Sequence, residues 1–326
     1  MLDLALDRAD QDGSGLNVAS NPCRSADCRR GRWLLLWFTA PVALALPGSP
    51  RAPDLANGQE VFNAGGCSSC HAVPNQPDRL QPDRLRLGGG LAISSPFGTF
   101  YAPNISPDMT DGIGRWSEAD FINAVMKGVS PQGYHYFPAF PYTSYQSAKV
   151  EDISDLFAYL KTLPAVSGKV RSHDLPFPFN IRRRHLEVVV HGQQAICAGR
   201  RTIAAMEWRR LPREQFPGHC AECHSPRNFL GGIVASQRFA GGPNLEGEGW
   251  VPNITQKGIG KWSEKEIADF LETGEMPEGD TASGLMRSVI KNLSQLTATD
   301  RAAMAEYLKS LPPVVGPTPP KRKEGG

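Results

Sequence analysis

The sequence has no large excess of positive or negative charge. In 326 residues, 35 Lys and Arg stand against 33 Asp and Glu, which leaves a net charge of +2. This balance excludes a broad basic field that could hold a nucleic acid backbone, so we expect no nucleic acid partner. Cysteine is also scarce, because seven residues are too few for a disulfide scaffold in a chain of this length. Four of the seven lie in two short clusters, which indicates a cofactor or a metal.

A hydrophobic run of membrane-spanning length is missing as well. The apolar stretch over residues 33–46 has 14 residues and contains Pro41, whereas a membrane-spanning helix needs about 20. Arginines precede this stretch, and Ala43-Leu44-Ala45 near its end has the small-x-small pattern of a signal peptidase site. We expect residues 1–46 to be a leader for export to the periplasm. An uncleaved leader would instead associate the protein with the membrane.

The chain repeats itself. The cluster Cys67-Ser68-Ser69-Cys70-His71 returns as Cys220-Ala221-Glu222-Cys223-His224, and the motifs PNI, GIG(R/K)WSE and YLK(T/S)LP follow each copy in the same order. Apolar spacing and serine caps predict helices over residues 118–127, 150–160, 264–272 and 298–308, and another over 54–62. No run of alternating strands is present, so the predicted fold class is mainly α.

The two Cys-x-x-Cys-His clusters predict covalent attachment of c-type haem in an exported chain. The thiols of Cys67 and Cys70, and of Cys220 and Cys223, would add to the haem vinyl groups. His71 and His224 would then bind the iron. A redox dithiol would not need the adjacent histidine in both copies, and one zinc site would need ligands from both clusters. Two c-type haems with iron are therefore the predicted cofactors.

The motifs also carry a family resemblance. GGCSSCH, GIGRWSEADF, PAFPYTSY and FAYLKTLP in the first copy, with PGHCAECHSPRN, GIGKWSE and YLKSLPP in the second, resemble dihaem c-type cytochromes. They are similar in particular to the cytochrome c subunits of bacterial periplasmic alcohol, aldehyde and sugar dehydrogenases. The resemblance implies an electron carrier that a periplasmic or membrane-bound dehydrogenase reduces and a downstream respiratory acceptor oxidises.

The expected architecture is two tandem class I cytochrome c-like domains, each wrapped round one haem. They would occupy residues 54–166 and 214–315, joined by a linker over 167–213 and followed by a flexible tail over 316–326. The linker is of doubtful sequence, because residues 182–213 contain eight arginines, no lysine and no clear apolar period. We interpret residues 184–215 as a local reading-frame disturbance; the alternative is a basic linker that docks on an acidic partner.

The sixth iron ligand distinguishes the two copies. Met286 lies 28 residues after Gly258, where the axial methionine of a small cytochrome c usually lies, and it is the predicted second-haem ligand; Met276 is the second choice. The same offset from Gly112 leads to Phe140, which cannot bind iron. The first haem would be five-coordinate or bound by one of three nearby residues: His135, Met126 or Met109.

An open iron in the first domain would permit a second function. A dihaem peroxidase-like oxidoreductase would need acid and base groups near that iron, and the nearby candidates are His135, Tyr142 and Tyr145.

Two further motifs have structural and functional interpretations. Asn104-Ile105-Ser106 and Asn253-Ile254-Thr255 match the glycosylation sequon, but their repetition favours a structural role in the haem loops. Gly88-Gly89-Gly90 predicts a tight backbone turn rather than a phosphate loop.

Overall fold

The computed structural model describes residues 51–74, 83–180 and 219–319, apart from positions 138, 147, 178, 230, 246 and 248. The predicted leader, the doubtful segment over 184–215 and the tail from residue 320 lie outside these residues. The domain boundaries proposed above stay predictions. Residues 51–180 are called the first half of the protein, and residues 219–319 are called the second half.

Helices dominate both halves, as the sequence predicts. The first half contains α1 (Leu55–Ala64), α2 (Cys67–His71), α3 (Glu118–Lys127), α4 (Tyr142–Tyr145) and α5 (Val150–Thr162). The second half contains α6 (Cys220–Cys223), α7 (Gln256–Ile259), α8 (Glu264–Thr273), α9 (Leu285–Leu293) and α10 (Ala298–Ser310). The predicted helix over 118–127 has the expected bounds, and the other four predicted helices agree within two residues at each end. The fold is mainly α.

Short antiparallel strands and single 3₁₀ turns complete each half at matching places. In the first half, β1 (Ala92–Ser95) pairs with β2 (Gly98–Tyr101), and a 3₁₀ turn spans Asp83–Leu85. In the second half, β3 (Gly242–Pro243) pairs with β4 (Trp250–Val251), and a 3₁₀ turn spans Ala235–Gln237.

Local chemistry explains where the principal helices begin and end. Ser117 and Ser263 cap α3 and α8 with reciprocal hydrogen bonds to Asp120 and Glu266, which satisfies donors at each helix start. Each of these helices then ends at a glycine in the left-handed conformation, with φ of +63° at Gly128 and +78° at Gly274. The same start and stop signals therefore recur in both copies.

The hydrophobic core has two parts that meet near the end of α1. In the first half, α1, α3 and α5 pack together, and Phe62, Ile153 and Leu160 are almost completely buried. In the second half, α8, α9 and α10 enclose Ile267, Leu293 and Ala305, and Ala64 from α1 belongs to this cluster. The halves thus share buried contacts. Among the described residues, no helix combines the length and apolar character needed to cross a membrane.

Candidate haem-binding sites

Each Cys-x-x-Cys-His cluster forms one short helical turn. Helix α2 carries Cys67, Cys70 and His71, and helix α6 ends at Cys223 with His224 as the next residue. One helical turn therefore separates the two cysteines of each pair. All four cysteines are present as thiols. The arrangement offers two thiols on one side of a turn and an imidazole immediately after them.

The environment of the thiols argues against a redox dithiol. Burial raises the pKa of Cys67 to about 12, and burial also raises the pKa of Cys220. Both thiols therefore stay protonated near neutral pH, whereas disulfide exchange requires the thiolate. Among the described residues, no group of three or more His, Cys, Asp and Glu side chains forms a metal-binding cluster.

Both histidines are oriented in the same way. The Nδ1 atom of His71 lies 2.8 Å from the Pro103 carbonyl oxygen, and Nδ1 of His224 lies 2.7 Å from the Pro252 carbonyl oxygen. A carbonyl only accepts hydrogen bonds, so Nδ1 is the donor and Nε2 keeps its lone pair. Burial also lowers the pKa of both imidazoles, which keeps them neutral. A neutral imidazole fixed through Nδ1 is the form that binds a metal through Nε2.

Two glycines allow the loops that carry the proline carbonyls to lie close to the histidines. The Gly89 N–H donates to the His71 carbonyl at 2.8 Å, and the Gly241 N–H donates to the His224 carbonyl at 2.8 Å. Both glycines adopt left-handed backbone angles, with φ of +69° and +75°. A Cβ atom at Gly89 would lie 2.5 Å from the Pro103 carbonyl, and one at Gly241 would lie 2.9 Å from the Pro252 carbonyl carbon. Glycine is required here both for conformation and for close approach.

The loops that carry these prolines are fixed by the repeated asparagines. Asn104 donates through Nδ2 to the Val166 carbonyl at 2.7 Å and accepts from the Ser106 backbone and hydroxyl. Asn253 makes the same contacts with the Val314 carbonyl and with Thr255. Asn104 is only 6% exposed. The structural interpretation of these motifs is therefore supported over the glycosylation interpretation.

The segments that follow α3 and α8, residues 128–145 and 274–293, are called the distal segments. They have the same register in the two halves. After α3, the Tyr136 N–H donates to the Gly128 carbonyl, and after α8 the Ala282 N–H donates to the Gly274 carbonyl, both at 2.8 Å. Counting on by the same number of residues from each pair reaches Phe140 in the first half and Met286 in the second. The structure thus supports the equivalence that the sequence offset predicts.

The candidate axial ligands differ in their surroundings. Met286 is half-buried in the first turn of α9, and Met276 is half-buried in the turn before it. Met126 is 6% exposed and packs in the core of the first half, as an ordinary core residue would. Met109 is 58% exposed. His135 forms a backbone bridge with Val129 in the turn that follows α3.

Comparison with known proteins identifies the family. The cytochrome c family model matches residues 55–164. A dihaem cytochrome c-type protein of Cereibacter sphaeroides is 42% identical over 292 residues, covering 86% of this chain and 93% of the relative. This chain belongs to the cytochrome c family. Its role is electron transfer, and its cofactor is c-type haem with iron. The resemblance seen in the motifs is confirmed.

Two further relatives are subunits of larger assemblies. A nicotinate dehydrogenase subunit of Pseudomonas putida is 35% identical, and the match covers 83% of this cytochrome and 22% of the relative. The fructose dehydrogenase cytochrome subunit of Gluconobacter japonicus is 32% identical, over 82% of this cytochrome and 54% of the relative. This cytochrome spans nearly all of the Cereibacter protein, about half of the fructose dehydrogenase subunit and about a fifth of the nicotinate dehydrogenase subunit.

The residues present fit c-type haem in both halves of the cytochrome. Each half presents two cysteine thiols, a neutral imidazole with Nε2 available and a backbone carbonyl that fixes the imidazole. Cys67 and His71 are held by α2 and its neighbouring turns, while Cys220 and His224 are held by α6. These are the groups that haem attachment and proximal ligation require.

The two attachment helices of the cytochrome pack across the halves. On α2, the Ser68 hydroxyl donates to Asn292 Oδ1 at 2.6 Å, and Asn292 Nδ2 donates to the Ser69 hydroxyl at 2.7 Å. Asn292 lies on α9, whose first turn contains Met286. On the other side, the Ser144 hydroxyl of α4 donates to Glu222 of α6 at 3.0 Å. Each attachment helix therefore contacts the distal segment of the other half.

A second cross-contact places a histidine between the clusters. The Gly65 carbonyl, two residues before Cys67, accepts from the Tyr145 hydroxyl at 3.1 Å, and the His219 ring lies edge-on to the Tyr145 ring with the centroids 6.4 Å apart. His219 directly precedes Cys220, and burial lowers its pKa. Sequence reasoning missed both this contact and Asn292, because their partners lie in the other half of the chain and no local pattern indicates such pairs.

Proposed function

We propose that this protein is an exported dihaem cytochrome c that carries electrons from a dehydrogenase to a respiratory acceptor. The observation that supports it best is the repeated bond from Nδ1 of His71 and of His224 to a proline carbonyl. This arrangement leaves one neutral Nε2 per half for iron. The name of the Cereibacter relative, a dihaem cytochrome, agrees with two haems. Bound c-type haem supplies a one-electron Fe(III)/Fe(II) couple.

Different residues of the chain attach each haem and bind its iron. Cys67 and Cys70 attach the first haem and Cys220 and Cys223 the second, while His71 and His224 bind iron. Met286 is the proposed sixth ligand of the second haem. A thioether opposite a histidine raises the reduction potential and fills the coordination shell, which suits electron transfer. Phe140 at the equivalent place gives the first half a different distal side.

The proposed donor and location follow from the relatives and the leader. A relative named as the cytochrome subunit of fructose dehydrogenase supports a periplasmic or membrane-bound dehydrogenase as electron donor. The basic residues and apolar stretch before residue 46 support export to the periplasm. Membrane association would then come through the dehydrogenase or through an uncleaved leader. The respiratory acceptor is the proposed destination of the electron.

The alternative, a dihaem peroxidase-like oxidoreductase with an open first iron, has less support. It needs proton donors near the distal side of the first half. Tyr145 uses its hydroxyl to donate to the Gly65 carbonyl, and Tyr142 is only 2% exposed. Burial raises the pKa of both phenols, which makes them weaker acids than free tyrosine. The two tyrosines therefore give the alternative little support, and His135 is the candidate acid–base group on which it depends.

The test uses holo-protein made in a host with c-type haem maturation. A pyridine haemochrome assay should count two haems, and a redox-titrated optical spectrum should contain the weak near-infrared band of His/Met iron. Met286→Leu should abolish that band, while the matched variant Met276→Leu should retain it. Fewer than two attached haems would refute the dihaem proposal. Rapid peroxide consumption with a reduced electron donor would overturn the carrier function in favour of the alternative.

A further inference from the structure

Arg84 is a buried cation that has no anionic partner among the described residues. It lies in the 3₁₀ turn Asp83–Leu85, and only 6% of the residue is exposed. Its guanidinium donates from Nη1 to Asn292 Oδ1 at 3.0 Å and from Nη2 to Asn63 Oδ1 at 2.5 Å. Its Nε is buried and has no hydrogen-bond partner in the described structure. Both acceptors are neutral amides.

Within the described part of the chain, the positive charge of Arg84 is therefore not balanced by an ion pair. The ion pairs found among the described residues do not include Arg84. Arg301, the other buried arginine of the described core, is paired with Glu272 at 2.8 Å. An arginine stays protonated inside a protein, and a buried unpaired charge is destabilising. Its retention at such a place calls for a reason other than stability.

The location of Arg84 connects this charge with the first haem site. Arg84 lies near the ring of Phe62, with its guanidinium carbon 5.7 Å from the ring centre, and Phe62 is on α1 just before the attachment helix. Asn292, which accepts from Arg84, also accepts from Ser68, the residue after Cys67. The charge of Arg84 acts on Cys67 itself, where it opposes the effect of burial on the thiol pKa.

At the matching position the second half has no charge; its counterpart is the exposed Arg238, two residues further on, whose charge acts on the thiol of Cys220. Its 3₁₀ turn Ala235–Gln237 occupies the same place relative to Gly241 as the turn Asp83–Leu85 does relative to Gly89. The residue that corresponds to Arg84 is Ser236, which is uncharged and exposed. The charge is therefore buried in the first half and exposed to solvent in the second, so its effect should be larger at the first haem site.

We propose that Arg84 raises the reduction potential of the first haem by holding an uncompensated positive charge in the protein interior. This inference rests on the proposed attachment of a haem at Cys67 and Cys70. Reduction adds one electron to the iron, and Arg84 neither gains nor loses a proton. A fixed cation in a medium of low dielectric constant favours the reduced state, which carries one positive charge fewer than the oxidised state. Arg84 thus partly offsets the absence of a methionine at Phe140.

The experiment is a spectroelectrochemical titration of the holo-protein and three variants. Arg84→Met removes the charge, Arg84→Lys keeps it, and Asn63→Asp leaves Arg84 in place but supplies the missing anion at almost the same size. At a fixed applied potential, we expect Arg84→Met and Asn63→Asp each to lower the ratio of reduced to oxidised first haem by about fivefold or more. Arg84→Lys should restore most of the original ratio, and the second haem should shift less.

The control separates charge from general destabilisation. Arg301→Met also removes a buried arginine, but one that is paired, and it should leave the first-haem titration unchanged. A protein in which Cys67 and Cys70 are serine, or one in which Cys220 and Cys223 are serine, retains a single haem and assigns the two steps. Equal shifts of both haems, no shift in Asn63→Asp, or the same loss in Arg84→Lys as in Arg84→Met would overturn the inference. A haem count below two would instead refute the proposed function.

Discussion

The close approach at Gly89 gives a quantitative test of how the first histidine is held. Gly89→Ala would place a methyl group 2.5 Å from the Ala102 and Pro103 carbonyl oxygens, at a backbone φ of +69°. Three effects add. The left-handed conformation costs about 1–2 kcal/mol for alanine. Overpacking against the Pro103 loop adds about 1–3 kcal/mol. Loss of the bond from His71 Nδ1 to the Pro103 carbonyl adds about 0.5–1.5 kcal/mol.

A matched glycine isolates the contribution of the close approach. Gly133 has a φ of +73°, and a Cβ atom there would meet nothing within 4 Å. Gly133→Ala should therefore lower the free energy of unfolding by only the conformational term of about 1–2 kcal/mol. Gly89→Ala should lower it by about 2.5–6.5 kcal/mol in total. Guanidinium chloride denaturation of the holo-protein measures both. A difference between the two variants below about 1 kcal/mol would refute the reasoning.

Three further predictions concern pH, helix capping and the distal side. Burial lowers the pKa of His219 in the folded protein, so the unfolded chain binds this proton first as the pH falls below 6.5. The free energy of unfolding should fall between about pH 7 and 5, and His219→Gln should make that fall smaller when the two proteins are denatured in parallel. Ser263→Ala removes the bond that the Ser263 hydroxyl accepts from the Glu266 N–H, while the Glu266 carboxylate can still accept from the N–H of residue 263. It should lower the free energy of unfolding by about 1 kcal/mol in the same assay. Phe140→Met introduces a thioether at the place equivalent to Met286 and should strengthen the near-infrared His/Met band and raise the first-haem potential in a redox titration.

Each of these predictions has a control and a contradicting result. An unchanged pH dependence in His219→Gln would mean that other groups control acid stability. Ser294→Ala, at an exposed hydroxyl outside any capping box, should have an effect of less than about 0.5 kcal/mol. A Ser263→Ala effect no larger than this would contradict the capping argument. Phe97→Met, which changes an aromatic residue elsewhere in the first half, should leave the near-infrared band unchanged. If Phe140→Met also leaves it unchanged, residue 140 does not face the iron.

Local patterns in the sequence determined the haem motifs and the principal helices. The serine caps, the apolar spacing and the left-handed glycines act within a few residues of one another, so the bounds of α3, α5, α8 and α10 could be predicted closely. Helix α9 was not predicted, because Gly284 precedes it and offers no side-chain cap. The equivalence of Phe140 and Met286 could be found from the repeat alone, since it requires only a common register.

Tertiary structure decided which backbone carbonyl fixes each histidine and what lies between the two halves. Pro103 reaches His71 only because Gly89 permits two backbones to approach closely, and the corresponding approach in the second half depends on Gly241. Arg84 donates a hydrogen bond to Asn292, which lies 208 residues further along the sequence. Such contacts depend on how the helices pack, and packing brings together residues whose sequence separation carries no periodic signal. The residues proposed to bind haem could therefore be read from sequence, whereas the residues that orient them and set their electrostatic surroundings required the fold.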